Sequence, residues 1–116
     1  MNSAYHRRVA FPRNLGNSTS KQLHSTSPVV LIPVGSTEQH GPHLPLDTDT
    51  RIASSVAHAV AARLGGPSAG DRPYLLAPAI AYGASGEHEA FPGTISIGSE
   101  ALELVVLEFG RSATNW

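Results

Sequence analysis

The sequence predicts an α/β fold in which helices cover a mostly parallel sheet. Two short, almost continuous apolar runs, residues 28–35 and 74–83, alternate with two stretches of helical periodicity, residues 49–64 and 100–114. Continuous apolar runs are typical of strands buried on both faces, and strands that alternate with helices are typical of parallel sheets. Ligands bind such sheets at the carboxyl ends of the strands. We therefore expect a functional site in a loop that follows a strand.

The first strand, "PVVLIPVG", is bounded by Pro and Gly and leads directly into a polar loop. In the first helix, over about 49–64, apolar residues recur at three- and four-residue intervals, and a glycine pair at 65–66 indicates its end. A turn-rich connection over 66–73 joins this helix to the second strand. The helix start has three candidate capping residues, Asp47, Thr48 and Asp49.

The second strand is interrupted by Pro78, which has no backbone N–H to donate, so this strand is expected at an edge or with a bulge. A long loop over 84–98 ends in the strand-like "TISI". The second helix is predicted from about 100 to 114, with Ser99 as its candidate N-cap.

Composition narrows the class of protein. The 116 residues, 41% of them hydrophobic, fit one domain, which we place at 28–116 behind an irregular arm at 1–27 whose arginines also resemble those of a transit peptide. The net charge is −1, without a run of Lys or Arg, so nucleic acid is not an expected partner. No N-terminal apolar run could span a membrane, and a soluble cytoplasmic protein is expected.

The loop "GSTEQHGPHLPLDTDT", residues 35–50, concentrates metal-ligating side chains. Cysteine is absent from the chain, which leaves His and carboxylates as ligands. In an extended segment Glu38 and His40 point to one side while Gln39 faces away, and the Gly-Pro turn brings Asp49 back toward them. This donor set suits Zn, Mn or Fe, and a bridging carboxylate could hold two ions that turn bound water into hydroxide.

Other interpretations of these residues stay open. An isolated Glu-x-His on a loop is commonly accidental, and Asp47 and Asp49 could simply cap the helix. His43 either lines the site or packs within the loop. A second loop, "YGASGEHEAFPGT", places Glu87 and His88 where they could touch a substrate, or it is a turn whose glycines serve the backbone alone. The remaining histidines are not expected to be ligands: His6, His24 and His58.

The segments "PVGSTEQHGPHLPLDTDT" and "YGASGEHEAFPGTISIG" resemble the creatininase (creatinine amidohydrolase) family, most closely its mycofactocin-associated members. The resemblance covers about residues 28–116 and implies a three-layer α/β/α fold, here truncated to its N-terminal part. It implies two divalent ions, Zn, Mn or Fe, with Glu38 as ligand to one, His40 as ligand to the other and Asp49 bridging both. Asp47 is not implied as a ligand, and the second loop resembles the family's substrate-side segment.

The resemblance also implies a function. It predicts a metal-dependent amidohydrolase or peptidase in which a metal-bound hydroxide attacks an amide, and, in the mycofactocin-associated members, removal of a C-terminal dipeptide from a modified precursor peptide. Creatinine or another small amide, such as a formamide, is an alternative substrate. The full-length family is usually a homohexamer.

These 116 residues lack the family's later Asn-Gly-His-Gly-Gly-Asn-type segment and a further Glu, so each ion would keep two ligands from this chain. An N-terminal fragment of a longer amidohydrolase, inactive alone, is therefore also expected. Such a fragment would expose the apolar runs "VVLIPV" and "ELVVLEF".

Overall fold

The computed structural model of the chain describes residues 14–65 and 72–116. The turn expected over 66–73 lies mostly outside the described residues, as does the first part of the arm, residues 1–13. In chain order the regular elements are helix α1, strand β1, helix α2, strand β2 and helix α3, with these bounds: Ser20–Leu23, Val29–Leu31, Thr48–Leu64, Tyr74–Leu76 and Gly98–Ala113.

Strands β1 and β2 pair in parallel, as the sequence predicts, with Val30 opposite Leu75. Pairing resumes beyond the regular strands, where Val34 bridges Ile80 and the N–H of Ile80 donates to the carbonyl of Pro33 at 2.9 Å. The register at this bridge differs by one residue from that of the strands. One extra residue on the second segment, next to the proline that cannot donate, is the expected bulge.

Helix α2 packs on β2, and the most buried apolar side chains lie at this contact. Leu75 is fully buried, and Ala77 and Ala61 of α2 are nearly so. Because the helix packs on the strands, its first turn lies near the loop that follows β1, and this places the candidate ligands.

The strand-like "TISI" forms one antiparallel bridge, Thr37 to Ile95, instead of a strand. The N–H of Ile95 donates to the carbonyl of Thr37 at 3.0 Å, but the next donor on the other segment, the N–H of Gln39, bonds to the Thr94 hydroxyl at 3.0 Å. A ladder needs backbone partners on both segments. The side-chain hydroxyl therefore ends the pairing after one bridge.

Helix α3 begins at Gly98, and the expected capping role of Ser99 is wrong. The residue in the N-cap position is Ile97, which cannot cap, and the hydroxyl of Ser96 instead accepts from the N–H of Gly98 at 3.2 Å. The positive φ of Gly98, 78°, turns the chain into the helix. Farther along, α3 exposes large apolar side chains, as expected of "ELVVLEF": Leu104, Val105, Val106 and Leu107.

The part of the arm that the structure describes is more regular than expected. A 3-10 turn spans Leu15–Asn17, and the short helix α1 follows. Thr19 and Gln22 form a capping box, in which each side chain binds the other residue's backbone N–H. The sequence "TSKQ" carries this signal, which the expectation of an irregular arm overlooked. Among the described residues, no helix is long and apolar enough to cross a membrane.

Candidate metal site

The loop between β1 and α2 folds back on itself so that its two ends meet. The N–H of Glu38 donates to the carbonyl of Leu46 at 3.1 Å. Gly35 lies against the first turn of α2, where a Cβ on Gly35 would come within 2.7 Å of the Thr50 backbone nitrogen. Only a residue without a side chain permits this approach. Asp49, in the first turn of α2, is therefore brought beside Glu38 and His40.

Glu38, His40 and Asp49 each offer a ligand atom, and these three atoms lie within 4.8 Å of one another. The Nε2 of His40 is 3.0 Å from Oδ1 of Asp49, and its Nδ1 is 3.0 Å from the carbonyl oxygen of Glu38. A carbonyl only accepts, so Nδ1 carries a proton there, and in the neutral ring Nε2 holds the free lone pair. The backbone thus orients His40 with its ligating nitrogen toward the two carboxylates.

A buried hydroxyl joins the two carboxylates. The Oγ of Ser36 lies 2.8 Å from Oε1 of Glu38 and 2.5 Å from Oδ2 of Asp49. A hydroxyl has one proton and can donate it to only one of them at a time. Two carboxylates held this closely repel each other unless a proton or a cation lies between them.

The ionisation of the site reflects this crowding. A hydrogen bond with the Glu38 carboxyl, followed by one from the Ser36 hydroxyl, lowers the pKa of Asp49. The backbone carbonyl of Glu38, helped by the hydrogen bond to Asp49, raises the pKa of His40. The metal-free site therefore favours an imidazolium between carboxylates. A divalent cation would also supply positive charge between these carboxylates, so the donor set and its geometry fit such an ion.

A second group from the loop after β2 lies beside the first. His88 places Nε2 at 3.4 Å from Oε2 of Glu38, while Glu87 is mostly exposed at 3.9 Å from the same nitrogen. Glu38, Glu87 and His88 also offer ligand atoms within 4.8 Å of one another. Both loops follow parallel strands, so the candidate ligands lie at the carboxyl edge of the sheet, as the sequence predicts.

Two residues of this neighbourhood are not among the sequence-derived candidates. Gln39, which is expected to face away from the ligands, contacts the second loop: its Nε2 is 2.9 Å from Nδ1 of His88, the ring nitrogen that does not face Glu38. Its Oε1 accepts a hydrogen bond from the N–H of Gly41, where the chain turns. The ligand pattern of the loop does not predict a role for Ser36; the signal that indicates it is a small polar residue at the end of a buried apolar run.

The other candidates are not members of these groups. His43 is exposed, and neither group of potential ligands includes it within the described part of the chain. Asp47 occupies the N-cap position of α2, but its side chain makes no capping hydrogen bond and pairs with Arg51 at 2.8 Å. The expectation that Asp47 caps with its side chain is therefore wrong. His24 and His58 are exposed, and His6 lies outside the described residues.

An open cavity of about 440 Å³ adjoins the candidate ligands. Ser36 and Asp49 form its polar side. Its apolar side includes Val34 from the loop after β1, Ile52 of α2 and Leu102 of α3. The arrangement places a carboxylate at the wall of a space large enough for a few side chains.

Parallel strands with two carboxylates and an imidazole gathered at their carboxyl edge define an α/β protein with the donor set of a divalent-metal enzyme. The comparison with known sequences is specific. The Creatininase family profile, described as creatinine amidohydrolase, matches residues 15–116. The chain belongs to this family, which confirms the resemblance found in the sequence.

Several relatives extend this result. The chain is 68% identical over all 116 residues to the mycofactocin precursor peptide peptidase of Mycolicibacterium smegmatis, and covers 46% of that protein. The protein of the same name from Mycobacterium ulcerans is 66% identical over 117 residues, with 47% of it covered. The creatinine amidohydrolase of Pseudomonas putida is 34% identical over 88 residues, which are 72% of this chain and 31% of that protein. The chain thus spans about half the length of the curated peptidases it matches.

Solved structures agree with the α/β class. A creatininase mutant in complex with creatine superposes with a TM-score of 0.75 at 29% identity, over 89% of this chain and 40% of the other. A creatininase mutant of Zn-Zn type gives 0.73 at 29% identity, over 87% and 40%. The predicted fold class is confirmed, and the match again covers less than half of each relative.

Proposed function

We propose that the chain forms the N-terminal part of a metal-dependent creatininase-family peptidase, with residues 28–116 in the domain and residues 1–27 as an arm. The observation that carries the proposal is the convergence of Glu38, His40 and Asp49 at the carboxyl edge of the sheet. The proposed reaction is removal of the C-terminal dipeptide from a modified mycofactocin precursor peptide. The much higher identity to peptidases than to a creatinine amidohydrolase favours this substrate over a small amide.

In this proposal Glu38 would hold one ion, His40 would hold the other, and Asp49 would be a ligand to both. When bound, divalent ions lower the pKa of water and polarise a carbonyl, which is the chemistry that amide hydrolysis needs. The ions are Zn, Mn or Fe, because carboxylates with one imidazole accommodate all three. Ser36 holds the two carboxylates close together, because its Oγ lies 2.8 Å from Oε1 of Glu38 and 2.5 Å from Oδ2 of Asp49.

The substrate side is proposed to be the cavity beside Asp49. Its apolar wall suits a hydrophobic side chain of a peptide, and its polar wall includes the candidate ligand Asp49. His43 and Glu87, both exposed, are proposed to contact the peptide chain, together with His88. We further propose that the full-length protein acts as a homohexamer in the cytoplasm.

The first experiment measures metal uptake by the purified chain. Zinc, manganese and iron are titrated calorimetrically into the wild-type chain and into Asp49→Ala and His40→Ala. We expect each variant to lose at least about 100-fold in zinc affinity, since even groups that only orient a ligand contribute roughly 10- to 100-fold. Asp47→Ala and His58→Ala are matched controls and should bind as the wild type does. No uptake by the wild-type chain, or equal uptake by Asp49→Ala, would refute the proposal.

The substrate is tested separately by mass spectrometry. The metal-loaded chain is incubated with a modified precursor peptide, with creatinine and with a formamide, alone and with the C-terminal half of the Mycolicibacterium smegmatis relative. Release of a dipeptide supports the proposal. Hydrolysis of creatinine or the formamide alone supports a small-amide hydrolase. Activity that requires the added half identifies the 116-residue chain as an inactive part.

A further inference from the structure

We propose that His88 is a positioning residue that holds the Glu38 carboxylate in its ligating orientation, and that Gln39 fixes the tautomer in which His88 does so. This inference rests on the proposed metal site. It assigns to the imidazole of the second loop a role other than contact with substrate. Two hydrogen bonds, from Gly41 to Gln39 and from Gln39 to His88, lead to the 3.4 Å ion-pair contact of His88 with Glu38.

The first step fixes the orientation of the Gln39 amide. The backbone N–H of Gly41 donates to Oε1 of Gln39 at 3.0 Å. Because an N–H only donates, the oxygen of the amide must be on the Gly41 side and its NH₂ group on the other. Gly41 adopts a φ of 71°, which glycine reaches without steric cost, and the turn directs its N–H toward the amide.

The second step fixes the tautomer of His88. The Nε2 of Gln39 lies 2.9 Å from Nδ1 of His88. An amide NH₂ only donates, so Nδ1 of His88 accepts, and the proton of the neutral ring is on Nε2. The ring nitrogen that faces the site is therefore a donor and is unsuited to ligate a metal in this state.

The third step connects this donor to the candidate ligand. The Nε2 of His88 is 3.4 Å from Oε2 of Glu38, whereas Oε1 of Glu38 receives the Ser36 hydroxyl at 2.8 Å. Each oxygen of the carboxylate thus faces its own donor. A carboxylate oxygen has two lone pairs, so one remains on each oxygen for an ion. The side chain of Glu38 is only 13% exposed, so water is a poor substitute for either donor.

The backbone holds His88 in place for this contact. Its N–H donates to the carbonyl of Ser85 at 3.0 Å and its carbonyl accepts from Phe91 at 3.0 Å, which closes the turn on both sides. The ring of Phe91 lies 6.4 Å from the imidazole. Glu87 is a weaker partner for the same nitrogen, because it is farther away at 3.9 Å and 73% exposed.

The test uses the full chain and compares His88→Leu, His88→Gln and Gln39→Leu, with His58→Leu as the matched control on an exposed histidine. Zinc affinity is measured by calorimetry, the ligand field by the visible spectrum of the cobalt-loaded chain, and folding by urea denaturation without metal. His88→Leu should lose about 10- to 100-fold in affinity and shift the cobalt bands. The amide of His88→Gln supplies an N–H near the position of Nε2, so it should restore most of the affinity. Gln39→Leu should give an intermediate loss.

The outcomes separate this inference from the proposed function. If the wild type binds metal and His88→Leu binds equally well with an unchanged spectrum, the positioning role is refuted while the metal site stands. If His88→Gln is as weak as His88→Leu and both cobalt spectra lose a nitrogen ligand, His88 is itself a ligand and the inference is overturned. If the wild type binds no metal, both proposals fail. Should His88→Leu not fold, His88→Gln and Gln39→Leu decide the matter, because a graded loss supports the inference and wild-type affinity in both refutes it.

Discussion

Replacing Gly35 by alanine tests how the fold brings Asp49 to the other ligands. A Cβ at this position would lie 2.7 Å from the Thr50 backbone nitrogen and still closer to the Thr50 Cα, which is too close for either pair of atoms. Backbone atoms of a helix cannot rotate away as a flexible side chain can. Overpacking costs typically about 1–3 kcal/mol, and we expect Gly35→Ala at the upper end, about 2–3 kcal/mol. That corresponds to roughly a 30- to 150-fold shift in the unfolding equilibrium.

The substitution should also displace Asp49, because Thr50, the residue that the new Cβ would contact, is the next residue in the chain. If the first turn of α2 moves away from Gly35, Asp49 moves away from Glu38 and His40. We therefore expect zinc affinity to fall at least about tenfold, the lower end of what loss of ligand orientation costs. Stability is measured by urea denaturation with circular dichroism, and affinity by calorimetry.

Gly86→Ala is the matched control for this substitution. Nothing lies within 4 Å of a Cβ built at Gly86, and its φ is not positive. This variant should stay within about 0.5 kcal/mol of the wild type. If Gly35→Ala unfolds at the same urea concentration as Gly86→Ala and binds zinc equally well, the close approach does not position the site and the reasoning is wrong.

Two further predictions concern the charges of the site. Ser36→Ala removes the hydroxyl between the carboxylates and should destabilise the metal-free chain by about 1–3 kcal/mol, less with saturating zinc. Ser85→Ala, which removes a buried hydroxyl without a partner among the described residues, should be neutral or stabilising, and equal urea midpoints for the two variants would contradict this. Zinc affinity should rise as the pH passes through the pKa of His40, which is raised above its ordinary value of 6.5, because protons compete for the imidazole below that pKa, while the lowered pKa of Asp49 keeps that carboxylate ionised over the same range. The same His40 pair stabilises the metal-free chain fully below the ordinary value of 6.5 and less as the pH rises through the raised pKa, so a zinc-induced thermal shift that does not widen with pH would refute the assignment.

Much of the fold could be predicted because its determinants are local. The continuous apolar runs around Val30 and Leu75 indicate buried strands, and the spacing of apolar residues in α2 and α3 indicates helices. Pro78 predicts either an edge strand or a bulge, since the missing N–H acts on one position, and the structure has a shift of register beside it. Strand length was overestimated, because an apolar run shows burial and does not show how many backbone partners a neighbouring segment supplies.

The candidate site also has one part that the sequence predicts and another that it does not. The convergence of Glu38, His40 and Asp49 follows from one loop that reverses at a Gly-Pro turn, and this is visible in the sequence. The contact of Gln39 with His88 joins residues 49 positions apart, and no periodicity within either loop predicts it. The capping hydroxyl of Ser96 in place of Ser99 likewise depends on the positive φ of Gly98, which the sequence alone permits but does not require.

The two halves of the site differ in the chain entropy that is lost when they form. Ser36 and Asp49 are 13 residues apart, whereas Gln39 and His88 are 49 apart. Closing the longer segment costs about 1 kcal/mol more in chain entropy, a difference that one ordinary hydrogen bond offsets. The three ligands can therefore assemble with α2 and its preceding loop, while the support of Glu38 by His88 requires the parallel pairing that brings the second loop to the same edge. An ion that binds Glu38 gains from that support, and it stabilises the contact between the two loops in return, because a ligand stabilises the conformation to which it binds.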